Sequence, residues 1–525
     1  MCRGLCIAIL ALAGQISAQQ LRPVTINPGG MPKVGAVDSR FVSYNIEMVE
    51  VTGGRFWKPY ADDTGTDGAA KAATPNSNPN AGLDPSVFQY RPPIDLTNVR
   101  LRNLAKGVGP AYVRVSGGWA NRTYFQDDDN PPLKQPPAGF DDVLTRAEWK
   151  GVIEFARAVG AQIVSSFAIS SGTRDANGVW MPTQAEAFVR YTKAVGGQIA
   201  AAEFMNEPNL NLATRQGAPA GYDAAAFARD IKVFSPLLRS ELAGTLLLGP
   251  GGVGEGGTAA RPANSMGSED ILKATGSIFD LLSYHFYGAL SRRCTAAGRG
   301  RGVTLDQALS PEWLDRTNQV EAFYAALRDT YLPSKAIWVT ETAEAACGGD
   351  KFSGQFADTF RFLNQFGTLA RKSVKVVMHN TLAASDYGLL DEKTFEPRPN
   401  YWAAVLWNRA MGTTVLDPRA ESESTLRIYA HCMKQGPGGV AVLALNTDEK
   451  EEHTLDLSVS GERLTLTAPA LTSTSVILNG RELKAKADGS LPAIQGLPFK
   501  PGTVRLPPHS ITFLTMRSAG NNNCR

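Results

Sequence analysis

Residues 201–208 read A-A-E-F-M-N-E-P, an apolar run that ends abruptly in Asn206, Glu207 and Pro208. Seven other short apolar runs have the same β-like character, and amphipathic helical stretches lie between the runs. These seven runs are residues 41–48, 111–119, 161–170, 245–251, 279–287, 336–342 and 374–380. Near-continuous apolar character is typical of strands that are buried on both faces of a parallel sheet. Eight strand–helix units therefore predict an α/β fold, a (β/α)₈ TIM barrel.

The length of 525 residues exceeds one ordinary core and predicts a second domain. We place the barrel at residues 40–411 and a C-terminal β-sandwich at 412–525, where alternating strands are separated by turn signals. Residues 19–39 are expected to contribute a strand to the sandwich. Residues 1–18 place one Arg before a short apolar run that ends in Ala18, which is the pattern of a signal peptide. We therefore expect a secreted or periplasmic protein.

Composition excludes several classes of partner. The net charge is only +3 and the sequence has no dense Lys/Arg run, so no nucleic-acid partner is predicted. After the N-terminus no apolar run is long enough to span a membrane, and we expect a monomer without a membrane partner. Four cysteines remain beyond residue 18, and they allow three disulfide pairings: Cys294, Cys347, Cys432 and Cys524. Their spacing matches no zinc pattern, so neither a metal nor a cofactor is predicted.

Two glutamates stand at the ends of predicted strands. Glu207 lies at the end of the fourth apolar run, and Glu341 lies in W-V-T-E-T at the end of the seventh. The strand ends of a (β/α)₈ barrel share one rim, which carries the chemistry of this fold. A single glutamate at a strand end is more often a cap, but two carboxylates across a cleft are the equipment for glycoside hydrolysis. One would attack the anomeric carbon and the other would protonate the leaving oxygen.

Five motifs connect these residues to a known family. They are M-N-E-P-N (205–209), S-Y-H-F-Y (283–287), V-T-E-T-A-E-A-A-C-G-G (339–349), V-V-M-H-N-T-L-A-A-S-D-Y-G-L-L-D-E (376–392) and P-N-Y-W-A-A-V-L-W (399–407). In this order they make the chain similar to glycoside hydrolase family 79, the β-glucuronidase and heparanase family. The resemblance implies a retaining, two-step mechanism with Glu207 as acid/base and Glu341 as nucleophile.

The resemblance also implies substrate contacts. Asn206 would bind the sugar 2-hydroxyl, Tyr287 would hold the carboxylate of the nucleophile, and Glu47 would bind hydroxyls on the far side of the ring. The carboxylate of a uronic acid would be bound by the backbone N–H groups of Cys347 and Gly348 and by the Tyr387 hydroxyl. Each of these roles is carried over from the family.

A disulfide between Cys432 and Cys524 is a further implication of the family, and it would tie the C-terminus to the sandwich. If it forms, Cys294 and Cys347 remain, and we hypothesise that they form a second disulfide on the active face.

Other residues receive less specific interpretations. His285 either supports Tyr287 or is an ordinary rim histidine, and Glu344 is expected to face solvent. Trp402 and Trp407 have helical spacing and are expected to pack between the domains. Asn121 begins an N-R-T glycosylation sequon, and such matches often arise by chance.

Three functions are compatible with these observations. The preferred hypothesis is an exo-acting β-D-glucuronidase that removes terminal glucuronic acid from a carbohydrate. Residues 61–93 favour it, because a long connection rich in Asp, Gly, Pro, Asn and Ala could close one end of the cleft. The alternatives are a heparanase-like endo-β-glucuronidase and an inactive carbohydrate-binding protein.

Overall fold

Eight parallel strands close into a barrel, as the sequence predicts. This computed structural model describes residues 23–60, 85–210, 217–257, 266–297, 302–420 and 424–525. The barrel strands, labelled β1 to β8 in chain order, are Val42–Glu47, Tyr112–Ser116, Gln162–Ser166, Ile199–Glu203, Leu246–Val253, Leu281–Leu290, Ile337–Ala346 and Val376–His379. Strand β8 pairs with β1 and completes the closure.

Helices connect these strands on the outside of the barrel. The α-helices among the described residues are Met48–Thr52, Val99–Gly107, Arg146–Val159, Thr183–Ala194, Ala224–Glu241, Ser268–Thr275, Leu305–Ala308, Pro311–Tyr331, Phe356–Arg371 and Pro399–Ala410. Their ends follow local chemistry. The helix that begins at Arg146, for example, is capped by Thr145, whose hydroxyl accepts a hydrogen bond from the Glu148 N–H, while the Glu148 carboxylate accepts one from the Thr145 N–H. It ends at Gly160, which has a φ of 69°.

The barrel interior is layered. At the starts of the strands, a cluster of apolar side chains fills the bottom of the barrel, and it includes Tyr112, Ala201 and Trp338. Side chains two residues further along a strand lie on the same face. Arg114 and Glu203 follow Tyr112 and Ala201 in this way, so the next layer of the interior is charged.

The second domain is a β-sandwich. Its larger sheet contains Lys33–Ala36, Met411–Leu416, Leu426–Met433, Val440–Asn446, Ser510–Met516, Gly461–Thr467, Ile477–Leu478, Arg481–Glu482 and Leu497–Phe499. Its smaller sheet contains Val24–Ile26, His453–Leu457 and Gly502–Leu506. The N-terminal segment thus supplies one strand to each sheet. A disulfide joins Cys432 to Cys524 at the C-terminus.

The larger sheet is buried on both faces. Along the strand Val440–Asn446, Val440 and Val442 face the smaller sheet, whereas Ala441 and Leu443 face the barrel. Trp402 and Trp407 belong to the barrel-side cluster, and the Trp407 ring lies 5.2 Å from the ring of His431 in the sandwich. The two tryptophans therefore pack in the region between the domains.

Two short sheets lie at the carboxyl-terminal face of the barrel. Gly54–Trp57 forms a hairpin with Phe88–Arg91 after β1, and Thr123–Gln126 pairs with Asp142–Thr145 after β2. Most of the long loop at 61–93 and the whole of residues 1–18 lie outside the described residues. Within the described part of the chain, no helix is both long and apolar enough to cross a membrane.

Candidate active site

Glu207 and Glu341 meet at the carboxyl ends of the strands. Glu341 lies within β7, and Glu207 lies in the turn after β4, with a φ of 43°. One oxygen of each carboxylate and a ring nitrogen of His285 all lie within 4.8 Å of one another. Both glutamates are buried, with 8% and 6% of their surface exposed. The two carboxylates are thus close enough to act on the two atoms of one glycosidic bond.

Arg114 in β2 is the positive charge at the centre of the site. Its Nη1 donates to Glu341 Oε2 at 2.8 Å, and its Nε and Nη2 donate to Glu203 Oε2 at 2.9 and 2.8 Å. Nη2 also donates to Asn206 Oδ1 at 2.8 Å. Burial acts to raise the pKa of Glu203, but the charge and the hydrogen bonds of Arg114 oppose it, and the net shift is downwards. The guanidinium therefore joins one structural carboxylate to the nucleophile candidate.

The second oxygen of Glu341 is also occupied. The Tyr287 hydroxyl donates to Glu341 Oε1 at 2.5 Å, as the role carried over from the family requires. With Arg114 on Oε2, both oxygens are held, which fixes the direction of the carboxylate.

Glu207 has a different environment. Burial raises its pKa to about 7, a shift that Arg114 opposes and Glu203 reinforces. His285 Nδ1 lies 2.9 Å from Glu207 Oε1, and Nε2 lies 3.3 Å from Arg114 Nη2. Burial lowers the pKa of His285 to about 4, so the ring is neutral. A guanidinium only donates, so Nε2 is the acceptor and Nδ1 carries the hydrogen that binds Glu207.

Asn121 supports the peptide that precedes Glu207. Its Oδ1 accepts a hydrogen bond from the Asn206 N–H at 2.8 Å, and its Nδ2 donates to the Asn206 carbonyl at 3.0 Å. The side chain is fully buried. The sequon at this position is therefore a coincidence of sequence, and Asn121 works as a backbone clamp.

A third carboxylate, Glu47, borders the site from the end of β1. Burial and then the charge of Glu341 raise its pKa well above the ordinary value. Asn380 Nδ2 lies 3.0 Å from Glu47 Oε1, 2.9 Å from the Tyr287 hydroxyl and 3.3 Å from the Tyr387 hydroxyl. Gly117 packs against Glu47 Oε2, which leaves no space for a Cβ atom. One amide thus links three residues for which the family implies substrate contacts.

The loop after β7 adopts unusual backbone geometry. Cys347, Gly348 and Gly349 all have positive φ angles of 64°, 85° and 86°. Cys347 is disulfide-bonded to Cys294, which follows β6. Within the described residues the Gly348 N–H has no hydrogen-bond partner, whereas its carbonyl accepts from the Ser385 hydroxyl and the Asp386 N–H. A free N–H in this position is available to an anionic group.

Glu344 does not face solvent, so that prediction is wrong. Only 3% of the residue is exposed, and burial raises its pKa to about 8, with Asp358 adding to the shift. Its Oε2 accepts hydrogen bonds from the Ser353 hydroxyl at 2.6 Å and the Asp350 N–H at 3.1 Å. Alternation along β7 is interrupted by a register shift, so the direction of this side chain was not readable from the sequence.

Sequence reasoning missed three functional residues: Arg114, Asn121 and Asn380. A usable signal existed for Arg114, because a lone arginine and a lone glutamate, Glu203, interrupt two otherwise apolar barrel strands. Opposite charges at the same depth of a barrel interior must pair. No comparable signal marks Asn121 or Asn380, since their partners are defined only in three dimensions.

The cluster of Glu207, His285 and Glu341 also has the composition of a metal site. Arg114 contacts both Glu341 and His285, so a fixed positive charge already occupies the position beside them. The arrangement therefore fits proton transfer and nucleophilic attack better than cation binding.

Comparisons with known proteins agree with this geometry. A family model described as glycosyl hydrolase family 79, N-terminal domain, matches residues 93–367, which is more than half of the chain. Heparanase from Bos taurus is 27% identical over 503 residues, covering 84% of this chain and 87% of that protein. Hyaluronoglucuronidase from Hirudo nipponia is 26% identical over 478 residues, covering 82% and 92%.

Solved structures show the same fold. A 4-O-α-L-rhamnosyl-β-D-glucuronidase from Fusarium oxysporum 12S superimposes with a TM-score of 0.64 at 14% identity, covering 94% of this chain and 100% of that one. At this identity the likeness concerns the fold alone.

Proposed function

Because this chain belongs to glycoside hydrolase family 79, and is therefore a glycoside hydrolase, we propose that it is a retaining exo-β-D-glucuronidase. It would remove terminal β-linked glucuronic acid from glycosides or oligosaccharides. The observation that carries the proposal is the buried pair Glu207 and Glu341. The loop that follows the strand of Glu341 adds a free backbone donor at Gly348.

The separation of the carboxylates supports retention. Retaining glycosidases have carboxyl groups roughly 5 Å apart, and inverting ones need roughly 6.5–9.5 Å to admit a water molecule. One oxygen of Glu207 and one of Glu341 lie within 4.8 Å of each other, which is compatible with the closer spacing. In the first step Glu341 attacks the anomeric carbon while Glu207 protonates the leaving oxygen. In the second step water, deprotonated by Glu207, breaks the glycosyl ester.

The hydrogen bond from His285 determines which oxygen of Glu207 carries the acidic proton. His285 Nδ1–H occupies Glu207 Oε1, so the acidic proton resides on Oε2. A pKa of about 7 allows Glu207 to hold that proton before the first step and to accept one in the second.

Recognition of the uronate is assigned to the loop after β7. The Gly348 N–H, the neighbouring Cys347 N–H and the Tyr387 hydroxyl would bind the substrate carboxylate. The Asn206 amide, whose oxygen is fixed by Arg114, would present its Nδ2 to the 2-hydroxyl. Glu47 would hydrogen-bond to a ring hydroxyl.

Exo action is supported by the anchoring of the segment that leads into residues 61–84. The Tyr60 N–H donates to the Asp386 carboxylate at 3.1 Å, and its hydroxyl lies 2.9 Å from Ser291 Oγ. The Trp57 side chain also packs against Gly348. This segment therefore packs against the loop proposed to bind the uronate carboxylate, where it would restrict the space for a further sugar.

Endo action of the heparanase type is the second candidate, because similarity to heparanase extends over 84% of the chain. We also propose that the protein is exported, which two disulfides and the apolar N-terminus support.

The first experiment is hydrolysis of p-nitrophenyl β-D-glucuronide beside the matching glucoside, with Glu341→Gln as the inactive control. Proton NMR of the first-formed anomer tests retention, and size analysis of heparan-type polymer digests tests endo cleavage. We expect glucuronide turnover with a β-anomer product and no shortening of the polymer. Rapid shortening of the polymer would instead favour the endo enzyme. No hydrolysis of any substrate would favour an inactive binding protein.

A further inference from the structure

A buried arginine lies directly behind the loop that contains Gly348. We propose that Arg293 is a positioning residue that makes this loop selective for a carboxylate, by neutralising Asp386 and holding the Gly348 peptide. The inference rests on the proposed function and names what determines the specificity of that site.

Arg293 connects three loops of the active face. It lies in the 3₁₀ helix Arg292–Ala297 after β6, and only 6% of its side chain is exposed. Nη1 donates to the Lys58 carbonyl at 2.7 Å and to Ser385 Oγ at 3.3 Å, and Nη2 is paired with the Asp386 carboxylate. The guanidinium also lies 4.1 Å from the centre of the Tyr60 ring. Both Nη atoms and the face over Tyr60 are therefore committed to protein, so Arg293 acts through other residues.

The partners of Arg293 hold the Gly348 peptide. Ser385 Oγ donates to the Gly348 carbonyl at 2.9 Å, and the Asp386 N–H donates to the same carbonyl at 3.0 Å. A Cβ atom at Gly348 would lie 2.8 Å from Arg293 Nη1, so the loop backbone packs against the guanidinium itself. On the other side of Gly348, the disulfide of Cys347 fixes the chain. The direction of the free Gly348 N–H is thus set from both sides.

The charge of Arg293 matters as much as its hydrogen bonds. Asp386 is largely buried, and burial raises its pKa while Arg293 acts against that shift. Without the guanidinium, the Asp386 carboxylate would lose its paired counter-charge, and Arg398 alone would offset its negative charge near the donors that receive the uronate carboxylate. Like charges at short range in a buried site repel strongly, whereas a neutral sugar would feel little of this repulsion.

The test compares charged and neutral versions of one substrate. The variants are Arg293→Gln, Arg293→Lys, Asp386→Asn and the double variant Arg293→Gln/Asp386→Asn. The substrates are p-nitrophenyl β-D-glucuronide and its methyl ester, which is neutral at C6. Binding of free glucuronate by titration calorimetry gives a readout that does not need turnover, and thermal melting checks folding.

We expect Arg293→Gln to raise KM for the glucuronide at least about tenfold, with a much smaller effect on kcat and on the methyl ester. Arg293→Lys should recover part of the affinity, because it restores the charge. The double variant should bind glucuronate better than Arg293→Gln, because it removes the unpaired Asp386. It also keeps the proposal testable if the single variant does not fold.

Two results would overturn the inference: equal losses on the charged and neutral substrates, or a double variant no better than Arg293→Gln. The proposed function fails separately. A wild-type protein that binds glucuronate but cleaves nothing would refute the hydrolase while leaving the role of Arg293 intact, and one that does neither would refute both.

Discussion

The two candidate catalytic carboxylates and the loop proposed to bind the uronate carboxylate are held by different means. Glu341 belongs to a barrel strand, and its partners Arg114 and Tyr287 come from two other strands, β2 and β6. The loop at Gly348 lies beyond the barrel and is held by a disulfide, by Ser385 and by the Asp386 N–H. The catalytic centre therefore rests on strand geometry, whereas the recognition loop rests on contacts between loops.

Because the two regions are held differently, substitutions in them should change different kinetic parameters. Strands hold reacting groups precisely enough for transition-state stabilisation, so changes there should appear in kcat. Loops can change between related enzymes without disturbing the barrel, so changes there should appear in KM and in substrate choice. If a substitution in one region changes both kcat and KM, the two regions are not independent.

Removal of the nucleophile should have the largest effect. Glu341→Gln keeps the shape of the side chain but cannot form the glycosyl ester, so we expect kcat to fall on the order of 10⁴-fold or more. Steady-state hydrolysis of p-nitrophenyl β-D-glucuronide measures it. Glu344→Gln, on the same strand, is the matched control and should keep kcat within about tenfold. Retention of more than about 1% of wild-type activity in Glu341→Gln would contradict the assignment.

Removal of the acid/base should have an effect that depends on the leaving group. Glu207→Gln should slow cleavage of disaccharide glucuronides by about 10²–10⁴-fold, the usual contribution of a positioned acid. p-Nitrophenolate leaves without protonation, so its release should begin with a burst before the slower second step. Azide should restore the second step, because this anion attacks without a general base. An equal loss on both leaving groups, with no burst, would rule out the acid role.

The pH dependence of kcat/KM should report the ionisation of Glu207 in the wild-type protein. The pKa of Glu207 is raised to about 7, so its acidic form prevails below that pH and is lost above it. We expect kcat/KM for a disaccharide glucuronide to fall about tenfold per unit well above pH 7. His285 stays neutral in this range, because burial lowers its pKa to about 4. If the alkaline limb persists in Glu207→Gln, another group must cause it.

The contrast between strands and loops also explains which features could be predicted from the sequence. The eight apolar runs predicted the barrel because strand burial leaves a local signature, and each run contains or overlaps one observed strand. Glu207 and Glu341 were found because strand ends are visible in sequence and share a rim. Arg114 left a fainter signal, as one charge within an apolar run.

Contacts between loops left no such signature. The clamp of Asn121 on Asn206 joins residues 85 positions apart, and the sequon at Asn121, a match that often arises by chance, gave no indication of it. Glu344 was misplaced because a polar residue after the nucleophile usually continues towards solvent, and its partners Asp350 and Ser353 lie in a turn that only the fold defines.

The smallest expected effect concerns stability at the border between the two regions. Burial, followed by Asp358, raises the pKa of Glu344 to about 8 in the folded protein, whereas an unfolded glutamate titrates near its ordinary value of about 4.3. Between these values the folded chain holds a proton that the unfolded chain has released. The free energy of unfolding therefore falls as the pH rises from about 4.3 towards 8, by at most about 1.4 kcal/mol per unit. Glu344→Gln cannot ionise, so its stability relative to the wild type should increase over this range.

Urea unfolding of both proteins at pH 5.5 and 8 measures the difference, followed by a probe that reports on the barrel, because two domains need not unfold together. Parallel pH dependences would mean that Glu344 ionises normally. A widening gap without a change in kcat would show that the support of the recognition loop can be altered while the catalytic centre stays intact.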